Sequence, residues 1–503
     1  MLSWPAGHNP CMRLHSVDLF IIAVYLVSIT LFGLRFRKSQ RSLRDYFLAG
    51  RNIPWWAISL SIVAAETSTL TVIGTPALAY AGNFGFLQVV FGYLLGRVVI
   101  SLIFIPQYFR GEMFTAYQLI DRRFGKSLHR ITAGIFLLTR AAAEGVRVWA
   151  VAIVVGIALG TGEIASVAIV MLLTMIYTFE GGLAAVIWTD VTQLAIYVGG
   201  TIVGFFTLVH LVPGGWPAIH AAASAAGKLQ VLDFSLDFFK PYTFWAGLIG
   251  GMFLTTATHG TDQLLVQRLL AARNQRESKA ALLSSGVVVL AQFTLFLLVG
   301  SGLWAFYRMF PPAVAFARTD NVFPTFIVDH MPHGISGLLI AAILAAAMSN
   351  LSAALNSLSS TSMIDFYLRR RPQTSDRTRL ALSRVATIVW GVVLFALAVA
   401  ARGRGKVLEL GLSIASVAYG GLLGVFLLGL LTRRARQSGA IAGMLCGLAL
   451  NAYIWKWVPR IPWTWYVTLG SLTTFAVGYL ASLFAADHEG HNAAKQMGTD
   501  AGH

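Results

Sequence analysis

The chain has 503 residues, is 56% hydrophobic and only 12% charged, with a mean hydropathy of +0.69. That balance excludes a soluble domain on a single anchor and fits a polytopic, all-α membrane protein. The net charge of +17 does not mark a nucleic-acid binder, because the basic residues occupy short loops between apolar segments rather than an aromatic-studded soluble face.

Thirteen apolar spans are expected, near residues 17–35, 55–80, 84–109, 129–158, 164–179, 184–212, 242–269, 280–308, 335–366, 380–401, 408–431, 438–457 and 463–485. The first exceeds a signal h-region and lacks a small-residue cleavage site, so it reads as a retained span. Segment 1–16 has one Arg and no Lys, whereas the next loop holds Arg35, Arg37, Lys38, Arg41, Arg44 and Arg51. The N-terminus is therefore expected outside and that loop in the cytoplasm. The alternation continues through inner loops holding Arg110, Arg122, Arg123 and Lys126; Arg268, Arg273, Arg276 and Lys279; Arg369 to Arg371, Arg377 and Arg379; and Arg433, Arg434 and Arg436. An odd number of spans puts the C-terminus in the cytoplasm, with 486–503 a polar, mobile tail. The longest outer loop, about 212–240, reads as a lid or a short interfacial helix. Cys11 and Cys446 make no metal spacing and no disulfide framework.

The stretch from Ser61 to Pro76 organises the chain. It lies inside an apolar span, yet carries Glu66, Thr67, Ser68, Thr69 and Thr71, then Gly74 and Pro76. A carboxylate at mid-membrane costs at least roughly 2.5 kcal/mol. Such a segment suits a cavity where backbone leaves the helix and offers carbonyls to a cation; the alternative is a polar seam whose hydroxyls bond back to carbonyls. A second stretch, Leu338 to Tyr367, repeats Ser349, Ser352, Asn356 and Ser359 at helical spacing, with Asn350 beside them. Uncharged hydroxyl and amide oxygens suit a monovalent cation that must be bound and released, and equally suit a close-packed helix seam. Arg140, Glu144 and Arg147 share one helical face, either as an ion-pair ladder or with one guanidinium left to hold a carboxylate. Arg97, mid-span, has no evident partner in the sequence. His259, beside Asp262, reads as a proton site or a cavity-lining residue.

Several segments resemble the sodium:solute symporter family, which includes transporters of sugars, proline, sialic acid and monocarboxylates. They are Asp45-Tyr46-Phe47-Leu48-Ala49-Gly50-Arg51 after the first span; Phe104-Ile105-Pro106 through Arg123-Phe124-Gly125; Gly181-Gly182-Leu183 through Thr189-Asp190 and Gln193; and Thr261-Asp262-Gln263 through Val266-Gln267-Arg268. The resemblance spans about 17–440. It implies a LeuT-type inverted-repeat core of two five-helix halves, 55–212 and 242–431, with 17–35 as a leading helix and 438–485 as two trailing helices.

By the same resemblance, the main sodium site would use the carbonyls of Ala64, Thr67 and Ala346 and the side-chain oxygens of Ser349 and Asn350, where the family usually has Ser or Thr in place of Asn350. Glu66 falls where the proline transporters carry a functional carboxylate, and would adjust sodium affinity or take a proton. Asp190, Ser349 and Ser352 match a second ion site of some members, but Ala353 replaces the next hydroxyl, so one sodium per substrate is preferred. Asp190 as a helix-holding hydrogen-bond partner is the alternative. Substrate contacts are expected at Ser68, Thr71, Gln88 and Asp262; Arg140 is a candidate carboxylate anchor from the face it shares with Glu144 and Arg147, since the arginine of the family's sialic acid transporters aligns nearer Ala143. Leu265 stands where the sugar carriers have a stacking tyrosine.

The expectation is a non-enzymatic, sodium-coupled symporter that imports a small polar organic solute across the cytoplasmic membrane by alternating access. Na+ is the coupling ion, the bilayer is the only other partner, and no nucleic acid or obligate protein partner is evident. Proton coupling is the nearest rival. A solute sensor would carry a signalling module that the short tail cannot supply, and a membrane enzyme would need a nucleophile–base pair or metal cluster. With no phosphate-cradling motif, the energy must come from an ion gradient.

Overall fold

A computed structural model describes residues 14–34, 49–110, 116–177, 183–312, 314–368, 371, 373, 376–403 and 405–500. Arg35, Arg37, Lys38, Arg41, Arg44, the Asp45–Leu48 part of the first motif, Gly181, Gly182, Arg369, Arg370 and the side chains of Ser349, Asn356, Arg377 and Arg379 lie outside the described residues. Among the described residues the chain is helical, without strands. In order the helices are α1 (Ser16–Leu34), α2 (Trp55–Glu66), α3 (Thr69–Ala81), α4 (Leu87–Ile103), α5 (Tyr117–Phe124), α6 (Lys126–Leu159), α7 (Glu163–Tyr177), α8 (Leu183–Leu211) and α9 (Gly215–Ala225). They continue with α10 (Phe244–Thr261), α11 (Gln263–Leu270), α12 (Gln275–Met309), α13 (Val322–His330), α14 (Ile335–Thr361), α15 (Asp376–Ala401), α16 (Val407–Leu431), α17 (Gln437–Trp457) and α18 (Tyr466–Asp500).

Among the described residues, 7 helices are long and apolar enough to cross a bilayer, and α2 with α3 pass together across a 66° bend. Shorter apolar helices cover Ser16–Ile29, Leu87–Ile103, Glu163–Leu172 and Val385–Ala401. The molecule is therefore a multi-pass membrane protein. Two readings change. The segment after residue 485 is helical as far as Asp500, in keeping with its alanines and its Lys, Gln and Met. Arg268, expected among loop charges, is buried on α11 because it has an acidic partner there. The 212–240 loop contains a short helix, α9, which buries Ile219 and Ala223.

The helices that matter for function are held by very close contacts. Helix α4 packs along α10, and α12 packs along α2 and α3. A Cβ added at Gly251 of α10 would stand 2.2 Å from the Val89 carbonyl oxygen, and one at Gly300 of α12 would stand 2.3 Å from that of Pro76. Only glycine permits backbones to approach so closely.

Helix α14 starts after Gly334, which has φ +89° and no side chain to cap the helix. The leading helix supplies the cap. Asp18 Oδ1 accepts from Gly334 N at 2.6 Å, Ser336 Oγ at 2.9 Å and Gly337 N at 3.1 Å. A buried carboxylate satisfying the free N–H groups of a helix start also complements its dipole. Helix α1 thus fixes the start of the helix that carries Asn350.

Candidate functional site

The span that begins at Trp55 breaks at Thr67 and Ser68: Thr67 takes a tight-turn conformation (φ −86°, ψ 82°) and Ser68 is extended (φ −84°, ψ 173°). The Ser68 N–H turns to the Glu66 carbonyl at 3.1 Å instead of to Ala64, and the Thr71 N–H goes to the Ser68 carbonyl at 2.8 Å. Among the described residues, no backbone N–H therefore serves the carbonyls of Ala64 and Thr67. Buried carbonyls released in this way lack a backbone partner and have the chemistry to ligate a cation. The break is pinned from one side by Thr67 Oγ1, which donates to Gln292 Oε1 of α12 at 3.1 Å. Thr71 Oγ1 reaches back to the Glu66 carbonyl at 3.4 Å, so this hydroxyl serves the break itself.

The Glu66 carboxylate sits at the end of α2. It accepts from the Arg97 guanidinium of α4, and the same oxygen lies 3.4 Å from His259 Nε2 of α10. Arg97 is 1% exposed and also donates through Nε to Ser285 Oγ at 3.1 Å and through Nη1 to the Tyr93 carbonyl at 3.2 Å.

One small cavity joins the break to its neighbours. It is lined by Ser68 and Thr69, by Ala347, Asn350 and Leu351 of α14, and by Glu144, Arg147 and Val148 of α6. Ala346 is the half-buried residue just before this lining. Asn350 of α14 thus shares a cavity with Ser68 and Thr69 of the broken helix.

The guanidinium that reaches this cavity is Arg147, not Arg140. Glu144 Oε1 accepts from Arg147 Nη1 at 2.6 Å and stands 2.9 Å from Arg140 Nη2. Arg140 is enclosed, 8% exposed, with Asp262 3.9 Å away on its other side. Arg147, at 32% exposure, is the more open of the two and lines the cavity. Asp262 occupies the second helix break, between α10 and α11. There it caps α11 through Leu264 N at 2.9 Å and accepts from Tyr419 Oη at 2.7 Å. These bonds commit Asp262 to holding α6, α11 and α16 together.

Two other expected residues have structural partners. Gln88 is fully buried; its amide donates to the carbonyls of Gly85 (3.1 Å) and Tyr242 (2.9 Å) and accepts from Asp233 N (2.8 Å). It fastens the 212–240 loop to α4 and to the segment before α10. Asp190 Oδ2 accepts from Ser61 Oγ at 2.6 Å and from Arg268 Nη2 at 2.8 Å, and Arg268 Nε also donates to Ser61 at 2.9 Å. The charge a second cation would neutralise is already neutralised, and Ser352 is not among these partners.

The model of the sodium:solute symporter family matches residues 46–447. The chain belongs to this family. Sodium is accordingly the coupling ion of this symporter. It is 28% identical to the sodium/sialic acid symporter SiaT of Proteus mirabilis, over 97% of this chain and 99% of that protein. It is also 28% identical to the mouse sodium-coupled monocarboxylate transporter 2, over 84% of this chain and 69% of that one. Among solved structures, a substrate-bound, outward-open sodium-coupled sialic acid symporter superposes with a TM-score of 0.81 at 26% identity, covering 93% of this chain and 98% of that one.

The sequence reading of this symporter missed the pairings of Arg97 with Glu66 and of Arg268 with Asp190. A signal was present. Buried carboxylates need counter-charges, and Glu66, Glu144, Asp190 and Asp262 are matched by Arg97, Arg140, Arg147 and Arg268.

Proposed function

We propose that this symporter imports a small organic anion, of the sialic acid or monocarboxylate class, with one sodium ion per solute. The carrying observation is the cavity in which Arg147 lies beside Ser68, Thr69 and Asn350. A guanidinium with open donors takes a carboxylate bidentately. Ser68 and Thr69 supply hydroxyls for the rest of the solute.

Sodium would sit between the break and α14, on the carbonyls of Ala64, Thr67 and Ala346 and the oxygens of Ser349 and Asn350. A bound cation beside the anion site favours the anion, so each raises the affinity of the other. The Ser61–Asp190–Arg268 cluster supports a single sodium. The relatives' solutes support the anion class, since the similar proteins are symporters of sialic acid and transporters of monocarboxylates.

The architecture proposed is thirteen spans with a 5+5 inverted-repeat core at 55–212 and 242–431, the leading helix outside it and α17 and α18 trailing. Two features support it. Each half opens with a broken helix, α2/α3 and α10/α11. The second helix of each half packs on the broken helix of the other, α4 on α10 and α12 on α2 and α3. The proposed location is the cytoplasmic membrane with the N-terminus outside, from the distribution of basic loops. Rocking of one bundle against the other then exposes the site to either side.

Proton coupling is favoured only by the contact of His259 with Glu66. Purified protein in liposomes, given labelled sialic acid, lactate or glucose, tests both points. Accumulation of an anion driven by an inward sodium gradient is expected. Uptake driven by a pH gradient in the absence of sodium, or of glucose alone, would overturn the reading.

A further inference from the structure

A carboxylate beside carbonyls that wait for a cation has two possible uses. It either ligates the ion or serves as the counter-charge of something else. Glu66 is the residue immediately before Thr67, so its charge bears directly on the sodium site proposed above. Its Oε2 is the acceptor of Arg97, and His259 crowds the same oxygen at 3.4 Å.

Arg97 is not free to follow Glu66. It is held by Ser285 of α12 and by the Tyr93 carbonyl of its own helix, and a Cβ at Gly286 would meet its Cδ at 3.0 Å. Ser285 and Gln292 stand seven residues apart, two turns along one face of α12. Ser285 holds Arg97, which holds Glu66; Gln292 holds Thr67. The break is therefore fastened at two consecutive residues to one face of a helix from the other half of the core.

We propose that Arg97 is a positioning residue of the sodium site, acting through Glu66: the pair sets both the path of the break and the electrostatic potential at the Ala64 and Thr67 carbonyls, and Glu66 is not itself an ion ligand. This rests on the sodium assignment made above. Paired, the two charges leave the site close to neutral, so a sodium ion bound by uncharged oxygens is also readily released. Unpaired, either charge would act on the neighbouring site through a medium of low dielectric, where one unit charge shifts binding by roughly tenfold or more.

The test is a sodium titration of the purified protein by thermal shift, with choline replacing sodium, at pH 8.5 so that His259 stays neutral. Glu66→Gln leaves an unpaired guanidinium and is expected to raise the half-saturating sodium concentration at least tenfold. Arg97→Gln leaves an unpaired carboxylate and is expected to lower it at least threefold. The neutral double variant Glu66→Gln/Arg97→Gln returns to within threefold of the parent, and Arg97→Lys lies closer to the parent than Arg97→Gln. A merely structural pair would weaken sodium binding in both single variants. Shifts in the same direction, or no shift in either, overturn the proposal. If the single variants do not fold, the double variant decides, because a tenfold loss there contradicts it and parent-like binding supports it. A parent protein that does not respond to sodium would instead remove the sodium assignment itself, a result distinct from the failure of this pair.

Discussion

Arg268 Nη2 lies 2.8 Å from Asp190 Oδ2, and each group also bonds Ser61, so one buried cluster joins α2, α8 and α11. Ser61 lies on the first half of the broken span, so any opening that parts α2 from α11 must break the Ser61–Arg268 bond, and any that parts α8 from α11 must break the ion pair. Removing one partner leaves a buried, uncompensated charge, which costs about 3–5 kcal/mol. Asp190→Asn is therefore expected to lower the melting temperature markedly, and Asp190→Asn/Arg268→Gln to recover most of the loss. A single variant as stable as the parent would contradict the cluster's role.

The two arginines of α6 should separate by phenotype. Arg147→Gln removes the donor that faces the cavity. The KM for an anionic solute is expected to rise tenfold or more, equivalent to about 1.4 kcal/mol, with little change in melting temperature. Arg140→Gln leaves Asp262 without its cation and is expected to act chiefly on stability. Uptake kinetics and melting curves of the two variants check this, and the opposite pattern would move the anion site to Arg140.

Asp18 tests whether the leading helix serves the transport core. Asp18→Ala leaves the N–H groups of Gly334 and Gly337 without an acceptor. The loss of a cap costs about 1–2 kcal/mol. Because the cap sits at the start of the helix bearing Asn350, sodium protection against unfolding should weaken together with stability. A variant with parental melting behaviour would separate α1 from α14.

The loop before α13 gives a dependence on pH. Asp320 is 1% exposed, and burial pushes its pKa up to about 6, against the opposing pull of the Val407 N–H, Arg318 and Lys406 and with the help of Glu409. A raised carboxylate pKa means that the folded state holds the proton more tightly than the unfolded one. The stabilisation is full below about pH 4 and is lost as pH rises through about 6, amounting to about 3 kcal/mol. Asp320→Asn cannot ionise and can still accept from Val407. Its melting temperature is therefore expected to exceed the parent's by more at pH 8 than at pH 4. A gap that does not change with pH would contradict the burial of a titrating group there.

Much of this was legible in the chain. Polar residues crowded into 66–71 of an apolar span marked the break, because backbone cannot unwind in lipid without a polar reason. The polar stripe on α14 was legible as helical spacing along one element, but which neighbour Asn350, beside it, would meet was not. What was not legible depends on two elements meeting. Arg97 lacked a visible partner because Glu66 comes from a different helix, and Arg268 read as a loop charge because Asp190 is far from it in the chain. The backbone partners of Gln88, the Tyr242 carbonyl and the Asp233 N–H, were not legible because they lie 154 and 145 residues away in the chain. The choice between Arg140 and Arg147 turned on which one the packing leaves open.

The central claim is that sodium binds where the broken span meets α14. The most direct measurement is the sodium concentration for half-maximal uptake by Asn350→Ala in liposomes, beside the parent protein. A rise of about tenfold is expected, the weight of one lost oxygen ligand of roughly 1.4 kcal/mol, with the solute KM recovered at saturating sodium. An unchanged sodium requirement in a folded, active variant would contradict it.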